Sequence, residues 1–250
     1  MVMPFMGPAG QADTRLFLSD ESPEVIARAI QLWDQYSGAP GLLSGTGDYE
    51  YDKDRKVYVN KKTGRDVTED QLRRYVRKVS DEASRQMKKD TQQLIAGIIM
   101  LTVWYSRMRN LMMALYKTVW ILGIGGFVFD DNIQRNLFYL FTLMQFNWLD
   151  NFSEQVYSGM QPLNGFAMTR AGLYGRTANG MWQNIRLLQA EETGYTEGMR
   201  VLGVTEDHCM NSDRPGCIEQ AARGWVSIRS IVPIGQCTCF SNCLCRLRFR

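Results

Sequence analysis

The fold of the C-terminal end depends on one stretch, residues 206–250, which reads EDHCMNSDRPGCIEQAARGWVSIRSIVPIGQCTCFSNCLCRLRFR. All six cysteines of the protein lie in this stretch, and so does its single histidine, His208. Residues 1–205 contain neither residue type. This segregation predicts a small C-terminal module whose shape depends on sulfur chemistry, attached to a larger body with an apolar core of its own.

The cysteines fall into two groups along the chain. Cys209 and Cys217 form the first, and the second contains Cys237, Cys239, Cys243 and Cys245. Tetrahedral zinc requires four thiolate or imidazole ligands, which two such groups could supply together. Seven residues separate the first pair, whereas a standard zinc knuckle has about two to four. The spacing alone therefore leaves the ligand set open.

Two other states of the cysteines remain open. Six cysteines allow fifteen disulfide pairings, and such bridges would form if the protein reached an oxidising compartment. The thiols could also stay free. The first residues of the chain lack the basic and continuous apolar regions of a secretory signal peptide. Clustered cysteines in a reducing cytoplasm are more often metal ligands than disulfides.

The region before the cysteines has the composition of a globular protein. Hydrophobic residues make up 45% of the chain and charged residues 22%, which argues against global disorder. Thr68, with acidic residues after it and Gln71 at the capping-box position, predicts the start of a long amphipathic helix. Apolar periodicity predicts further helices over about 130–157 and 169–190, the latter with small residues that permit close approach.

The N-terminal part is expected to be less regular. Residues 1–22 are expected to form an arm, and a short helix is predicted from Pro23 to about Tyr36. Alternation at 49–51 and 56–59 predicts a β-hairpin. The fold class is therefore mainly α, with a helical body, a small β-hairpin near the N-terminus and a small Cys-rich C-terminal module with short strands. The predicted divisions are 1–66, 67–198 and 199–250.

Membrane insertion and catalysis are both disfavoured. The apolar segments 94–105 and 111–129 are too short or are interrupted, the second by Lys117, so no stable membrane span is expected. The glycines at 123–126 lack the spacing of a nucleotide-binding loop. There is no nucleophile-elbow sequence, and one histidine is too few for a His-rich metal nuclease. The sequence therefore predicts a protein that is not an enzyme and has no catalytic residues.

Charge is unevenly distributed near the N-terminus. Residues 1–52 hold 8 acidic and 2 basic side chains, whereas residues 53–89 hold 13 basic and 6 acidic ones. The polar face of the helix that follows Thr68 carries Arg73, Arg74, Arg77 and Lys78. These four residues are the candidate contacts for nucleic acid or for an acidic protein surface. The alternative is a basic helix face that is simply solvated.

A set of motifs occurs along the chain in a particular order. It comprises Arg170-Ala171-Gly172-Leu173-Tyr174, the pair Cys209 and Cys217, Gly224-Trp225, Pro233-Ile234-Gly235, and Cys239-x3-Cys243-x-Cys245-Arg246. This order resembles the phage minor head proteins, a family that includes head-morphogenesis proteins similar to the F protein of phage Mu. The resemblance covers roughly residues 68–250, and its specific part is 200–250.

The resemblance implies a structural protein of the virion that acts in head assembly near the portal or the head–tail junction. The implied partners are the portal and other head or connector proteins, with packaged DNA as a further contact. The protein itself is expected in multiple copies, though few in each virion. The implied location is the virion head, and the host cytoplasm during assembly.

The cysteines depart from the family pattern at two points. An apparent insertion over 210–216 spreads the first pair, and Cys237 has no counterpart in the pattern. The candidate ligands of zinc are therefore Cys209, Cys217, Cys239, Cys243 and Cys245, of which four would bind the metal, or which would be disulfide-bonded instead. Two other functions are expected alternatives. One is a zinc-dependent nucleic-acid-binding or nuclease module, and the other is a membrane-active protein ejected with the genome.

Overall fold

The computed structural model describes residues 48–126, 131–203 and 208–250. The arm expected over 1–22 and the helix expected from Pro23 lie outside these residues. The helices are α1 (Glu69–Ile95), α2 (Leu101–Ile124), α3 (Asp131–Tyr157), α4 (Gly165–Arg176), α5 (Ala178–Glu192) and α6 (Cys217–Ala222). The strands are β1 (Tyr49–Asp52), β2 (Val57–Asn60), β3 (Asp66–Val67), β4 (Glu197–Val201), β5 (Val226–Ser227) and β6 (Arg246–Phe249). The predicted fold class, mainly α with small sheets near the N-terminus and in a Cys-rich C-terminal region, is confirmed.

The N-terminal hairpin is part of a three-stranded antiparallel sheet in the order β1-β2-β3. The sequence predicted β1 and β2 but not β3, whose two residues are too few for a periodic signal. Tyr51 and Tyr58 face each other across the hairpin and are both buried. The Tyr58 hydroxyl donates to the carbonyl of Gly123, and the amide of Tyr51 donates to that of Gly125 at 2.7 Å. The sheet therefore rests on the C-terminal end of α2.

The first helix, α1, begins as its capping signals predict. The side chain of Thr68 accepts from the amide of Gln71 at 3.2 Å, and the amide of Thr68 donates to the side chain of Gln71 at 2.8 Å. These reciprocal bonds satisfy two of the amides that a helix start leaves unpaired. The helix ends before Gly97, which has a φ of 68°. After the turn at Gly97, the chain continues into α2, where the indole N–H of Trp104 donates to the hydroxyl of Thr91 on α1 at 2.9 Å.

Aromatic pairs join α2 and α3 within the core. Trp104 meets Phe152 edge-to-face with ring centroids 5.3 Å apart, and Trp120 meets Phe138 in the same way at 5.4 Å. Aromatic pairs in this geometry stabilise a core beyond the area they bury. Within the part of the chain that the structure describes, no helix has the length and apolar character required to cross a membrane.

The single helix predicted over 169–190 is in fact two helices, and the first of them starts earlier. Asn164 caps α4 by accepting from the amide of Phe166 at 2.9 Å. Thr177 separates α4 from α5, and its hydroxyl donates to the carbonyl of Tyr174 at 2.7 Å. Threonine side chains of this kind compete with the regular helical bonds of the backbone. The expected close approach is present at Gly175, whose carbonyl accepts from Ser80 on α1 at 2.7 Å.

The C-terminal sheet has the antiparallel order β5-β4-β6. Its central strand, β4, runs across the predicted division between residues 198 and 199. Gly198 of β4 lies close to Ile231, and a Cβ there would displace the terminal methyl of the Ile231 side chain, which would lie 2.1 Å away. The sheet is covered by a second apolar cluster that includes Leu187 and Ala190 of α5. The cysteine region is therefore packed directly on the helical body.

Candidate metal centre

The six cysteines lie on three short pieces of chain, which contain Cys209, Cys217 and the segment 237–245. Cys217 is the first residue of α6, and the carbonyl of Cys209 accepts from the amide of the next residue, Ile218, at 3.2 Å. Cys237 and Cys243 flank a tight turn in which Phe240 has a φ of 51°. The amide of Phe240 donates to the carbonyl of Cys237 at 2.8 Å, and the amide of Cys243 donates to that of Phe240 at 3.2 Å. These backbone bonds fix the directions in which the thiols point.

The sulfur atoms form two groups that share one member. In the first group, the Sγ atoms of Cys209, Cys217, Cys237 and Cys239 all lie within 4.8 Å of one another. The second group consists of Cys217, Cys243 and Cys245, which satisfy the same limit. Both groups could hold a metal ion, because soft thiolates in close convergence are the ligands that zinc and related metals prefer.

The separations between sulfurs match those of a metal site. A tetrahedral zinc ion with Zn–S bonds of about 2.3 Å sets its sulfurs about 3.8 Å apart. The Sγ of Cys217 lies 3.9 Å from that of Cys239 and 3.5 Å from that of Cys243. In the structure all six cysteines are unbonded to one another. Several sulfurs that lie within 4.8 Å of one another could share one metal ion, whereas a disulfide joins only two sulfurs, which lie about 2.05 Å apart.

The cluster extends from the surface of the module to its interior. Cys217 and Cys237 have no exposed surface, and Cys243 and Cys245 are at most 2% exposed. Cys209 and Cys239 are partly exposed. An ion held by the first group would therefore lie nearer to solvent than one held by the second.

A buried arginine lies against the sulfurs. The guanidinium of Arg200, from the central strand β4, donates to the Sγ of Cys217 at 3.3 Å, to that of Cys243 at 3.7 Å and to the carbonyl of Val232 at 2.5 Å. Arg200 is 4% exposed. A buried cation is costly unless negative charge lies beside it. Among the described residues, no carboxylate lies within ion-pair distance of Arg200. The groups beside Arg200 that can carry negative charge are therefore the cysteine sulfurs, as thiolates.

Hydrogen bonds among the cysteines shift their pKa values in opposite directions. Hydrogen bonds from Cys217 and then Cys243, with a smaller contribution from Arg200, lower the pKa of Cys237 and of Cys245. Hydrogen bonds with Cys237, Cys243 and Cys245 raise the pKa of Cys217, and burial raises that of Cys239 to about 11. Against a hydrogen bond with Cys217 that lowers it, hydrogen bonds with Cys237 and Cys245 raise the pKa of Cys243. Thiolates are the form that binds metal, so a bound ion would displace the protons that the remaining thiols hold.

Side chains of α5 fasten this cluster to the helical body. The amide group of Asn179 donates to the carbonyls of Cys243 and Cys245 at 2.8 and 3.0 Å. The amide group of Asn184 donates to the carbonyl of Ile234 at 3.1 Å. Because these side chains lie one to two turns apart on the same helix, they set the orientation of the cysteine region relative to α5.

The structure places the five predicted ligands together and adds a sixth residue. Cys237, which the sequence analysis set aside, is fully buried and belongs to the first group. Cys237 packs in the second apolar cluster, a contact that the spacing between cysteines along the chain does not reveal. His208 is partly exposed and belongs to neither group.

The four predicted partner-binding residues lie on two different stripes of α1. Arg74 and Lys78 are exposed. Arg73 is half-buried and pairs with Asp70 at 3.0 Å. Arg73 and Arg77 line a groove of about 630 Å³ between α1 and the cysteine region.

The groove is rich in positive charge. Besides Arg73 and Arg77, its lining includes Arg176 from the end of α4 and Arg246 from the start of β6, with Asp81 as the carboxylate opposing them. Arg246 also reaches Asp70 at 3.5 Å. The predicted basic face is therefore continuous with a cationic groove that the cysteine region helps to form.

Comparisons with protein-family models, with curated proteins and with solved structures found no match. The resemblance to phage minor head proteins thus continues to rest on the motifs in the sequence.

Proposed function

We propose that this chain is a structural minor head protein of a tailed bacteriophage, which acts in head assembly near the portal or the head–tail junction. The observation that carries the proposal is the ordered set of motifs at 170–174 and 209–246. The separated motifs of the C-terminal part belong to a single folded unit around the cysteines, which is what a shared assembly module requires.

The first motif has a clear structural role in the body. Arg170 lies over the ring of Phe152 with its guanidinium carbon 4.2 Å from the ring centroid, and Tyr174 stacks on the same ring with centroids 6.3 Å apart. Arg170 also donates to the side chain of Gln155 at 2.5 Å. The motif therefore joins α4 to α3, and supports a role in architecture.

The cysteine cluster supports a structural role for metal. Structural zinc sites have four protein ligands, whereas catalytic sites keep a position open for water or substrate. The first group already offers four sulfurs to one ion. In this proposal the cofactor is zinc, the metal is not catalytic, and the protein is not an enzyme.

The proposed partner surface consists of Arg73, Arg74, Arg77 and Lys78 together with the cationic groove. Such a surface is suited to an acidic face of the portal or of another connector protein, and to the phosphates of packaged DNA. The protein would function in multiple copies in the virion head, after assembly in the host cytoplasm.

The test is co-sedimentation of the purified full chain with portal rings encoded by the same genome. We expect the wild-type protein to sediment with the rings. The variant Arg74→Glu with Lys78→Glu should bind at least tenfold more weakly, because both side chains are exposed and charge reversal places like charges against the partner. Binding should also weaken as salt is raised.

A matched control is Lys53→Glu with Lys89→Glu, which reverses two exposed lysines outside the proposed surface. This control should bind as the wild type does, and circular dichroism should show both double variants folded. Absence of the wild-type protein from sedimented rings would refute the proposal. Metal-dependent nicking of plasmid DNA or flotation with liposomes would instead favour the nuclease or the membrane-active alternative.

A further inference from the structure

The arrangement of the sulfurs exceeds what one metal ion can use. A tetrahedral ion takes four ligands, and the chain brings six sulfurs into two groups that meet at Cys217. If one ion occupied the first group, Cys243 and Cys245 would be left as buried thiols beside a complete site. Cys243 would then lie 3.5 Å from a sulfur already bound to metal.

Two tetrahedral ions need eight ligand positions, and six sulfurs fill eight positions only when two of them bridge. Cys217 is one bridge, because it belongs to both groups. The second bridge is assigned to Cys237, because it is fully buried like Cys217, whereas Cys209 and Cys239, the other members of the first group, are partly exposed. Full burial is expected for bridging sulfurs, since they lie at the centre of such a cluster.

We propose that the cysteine region binds two zinc ions in a thiolate-bridged cluster. Cys209 and Cys239 are the terminal ligands of one ion, Cys243 and Cys245 are those of the other, and the sulfurs of Cys217 and Cys237 bridge the pair. This inference deepens the structural metal role proposed above and rests on it. All six thiols release their protons to solvent when the two ions bind, and no redox change occurs.

The charges of this cluster suit its surroundings. Six thiolates and two Zn²⁺ ions carry a net charge of −2, which is costly in an apolar interior. The guanidinium of Arg200 donates to Cys217 and to Cys243, so it contacts one bridging sulfur and one terminal sulfur. Its positive charge reduces the net charge of the buried unit to −1.

The direct test is the metal content of the full chain, purified without chelator, by elemental analysis and by native mass spectrometry. We expect two zinc ions per chain. A content of one zinc would overturn the bridged pair, and iron with inorganic sulfide would overturn the identity of the metal.

Single substitutions separate the two ions. Cys239→Ser and Cys245→Ser each remove a terminal ligand of a different ion, and each should lower the zinc content from two to one per chain. The matched control is Thr238→Ser, which keeps a hydroxyl at the site where Thr238 donates to the carbonyl of Met210 at 3.1 Å. This control should retain two ions, and a Cys245→Ser variant that also retained two would contradict the assignment of Cys245.

Cadmium-113 NMR of the wild-type protein avoids reliance on variants that fold poorly. After exchange of zinc for cadmium, we expect two cadmium resonances that couple to each other through the shared sulfurs. One resonance, or two without mutual coupling, would overturn the bridge. Either result would leave the head-assembly role intact, whereas failure to sediment with portal rings would leave the metal content unaffected.

Discussion

Gly175 provides a sharp test of how the helical body is packed. It lies on α4 at the contact with α1, where a Cβ would stand 2.2 Å from the Oγ of Ser84 and 2.8 Å from two α1 backbone atoms, the carbonyl oxygen of Ser80 and the nitrogen of Ser84. A side-chain atom could rotate away, but helix backbone cannot. Gly175→Ala must therefore push α1 and α4 apart.

The cost can be worked from these contacts. Overpacking of a tight interface typically costs about 1–3 kcal/mol. The displacement also stretches the bond from the Ser80 hydroxyl to the carbonyl of Gly175, now 2.7 Å long, and such a bond is worth about 0.5–1.5 kcal/mol. We expect Gly175→Ala to lower the free energy of unfolding by about 1.5–4.5 kcal/mol, taking both contributions together.

The matched control lies on the same helix. Gly165→Ala adds the same methyl group where nothing lies within 4 Å, so its unfolding free energy should stay within about 1 kcal/mol of the wild type. Urea unfolding followed by circular dichroism gives both values, provided that the denaturant slopes agree. The packing argument is refuted if the two variants are equally stable. Since α1 carries the basic face, a confirmed effect would also link this contact to the partner surface.

Three further predictions concern the N-terminal sheet and the cysteine region. Burial raises the pKa of Tyr58 to about 12, despite the opposing charge of Arg186. The stabilisation from its protonated hydroxyl is therefore complete below a pH of about 10, and it is lost as the pH rises toward 12. Tyr58→Phe should remove that part of the alkaline loss of stability and cost about 0.5–1.5 kcal/mol at neutral pH, as measured by unfolding across this pH range. Arg200→Met should weaken zinc binding by about 10–100-fold, as measured by competition with a chromophoric chelator. Arg200→Lys keeps the positive charge and should lose less zinc affinity. Equal losses of affinity in the two variants would argue against charge compensation by Arg200. Removal of metal by a chelator should speed amide hydrogen exchange over 208–250 and leave α1–α3 protected. The reason is that a structural zinc contributes about 10 kcal/mol to the stability of such a unit. Unchanged exchange over 208–250 would contradict the structural role of the metal.

Local chemistry made part of the fold predictable. The capping box at Thr68 involves residues three positions apart, so the sequence contains everything needed to place the start of α1. The central strand β4 could not be placed in this way. Its partners β5 and β6 follow it by some 25 to 50 residues along the chain, and Gly198 in isolation reads as the end of a helix.

The candidate site shows the same division. The sequence identified five of the six clustered cysteines, because their clustering is visible in the chain itself. Cys237 was not among the predicted ligands, because a ligand pattern records the spacing of cysteines along the chain and not the directions of their side chains. The sequence also gave no sign of Arg200, which reaches the sulfurs only because β4 lies between β5 and β6.

The sequence by itself determined that thiol chemistry is confined to the last 45 residues, that a helical body precedes them, and that one face of α1 is basic. These properties depend on composition and on neighbours a few positions apart. Only the tertiary structure decided which sulfurs share a centre, that a buried arginine faces them, and that Arg73 and Arg77 border a groove with Arg246. These relations depend on contacts between residues far apart in the chain, and they arise only when the chain has closed on itself.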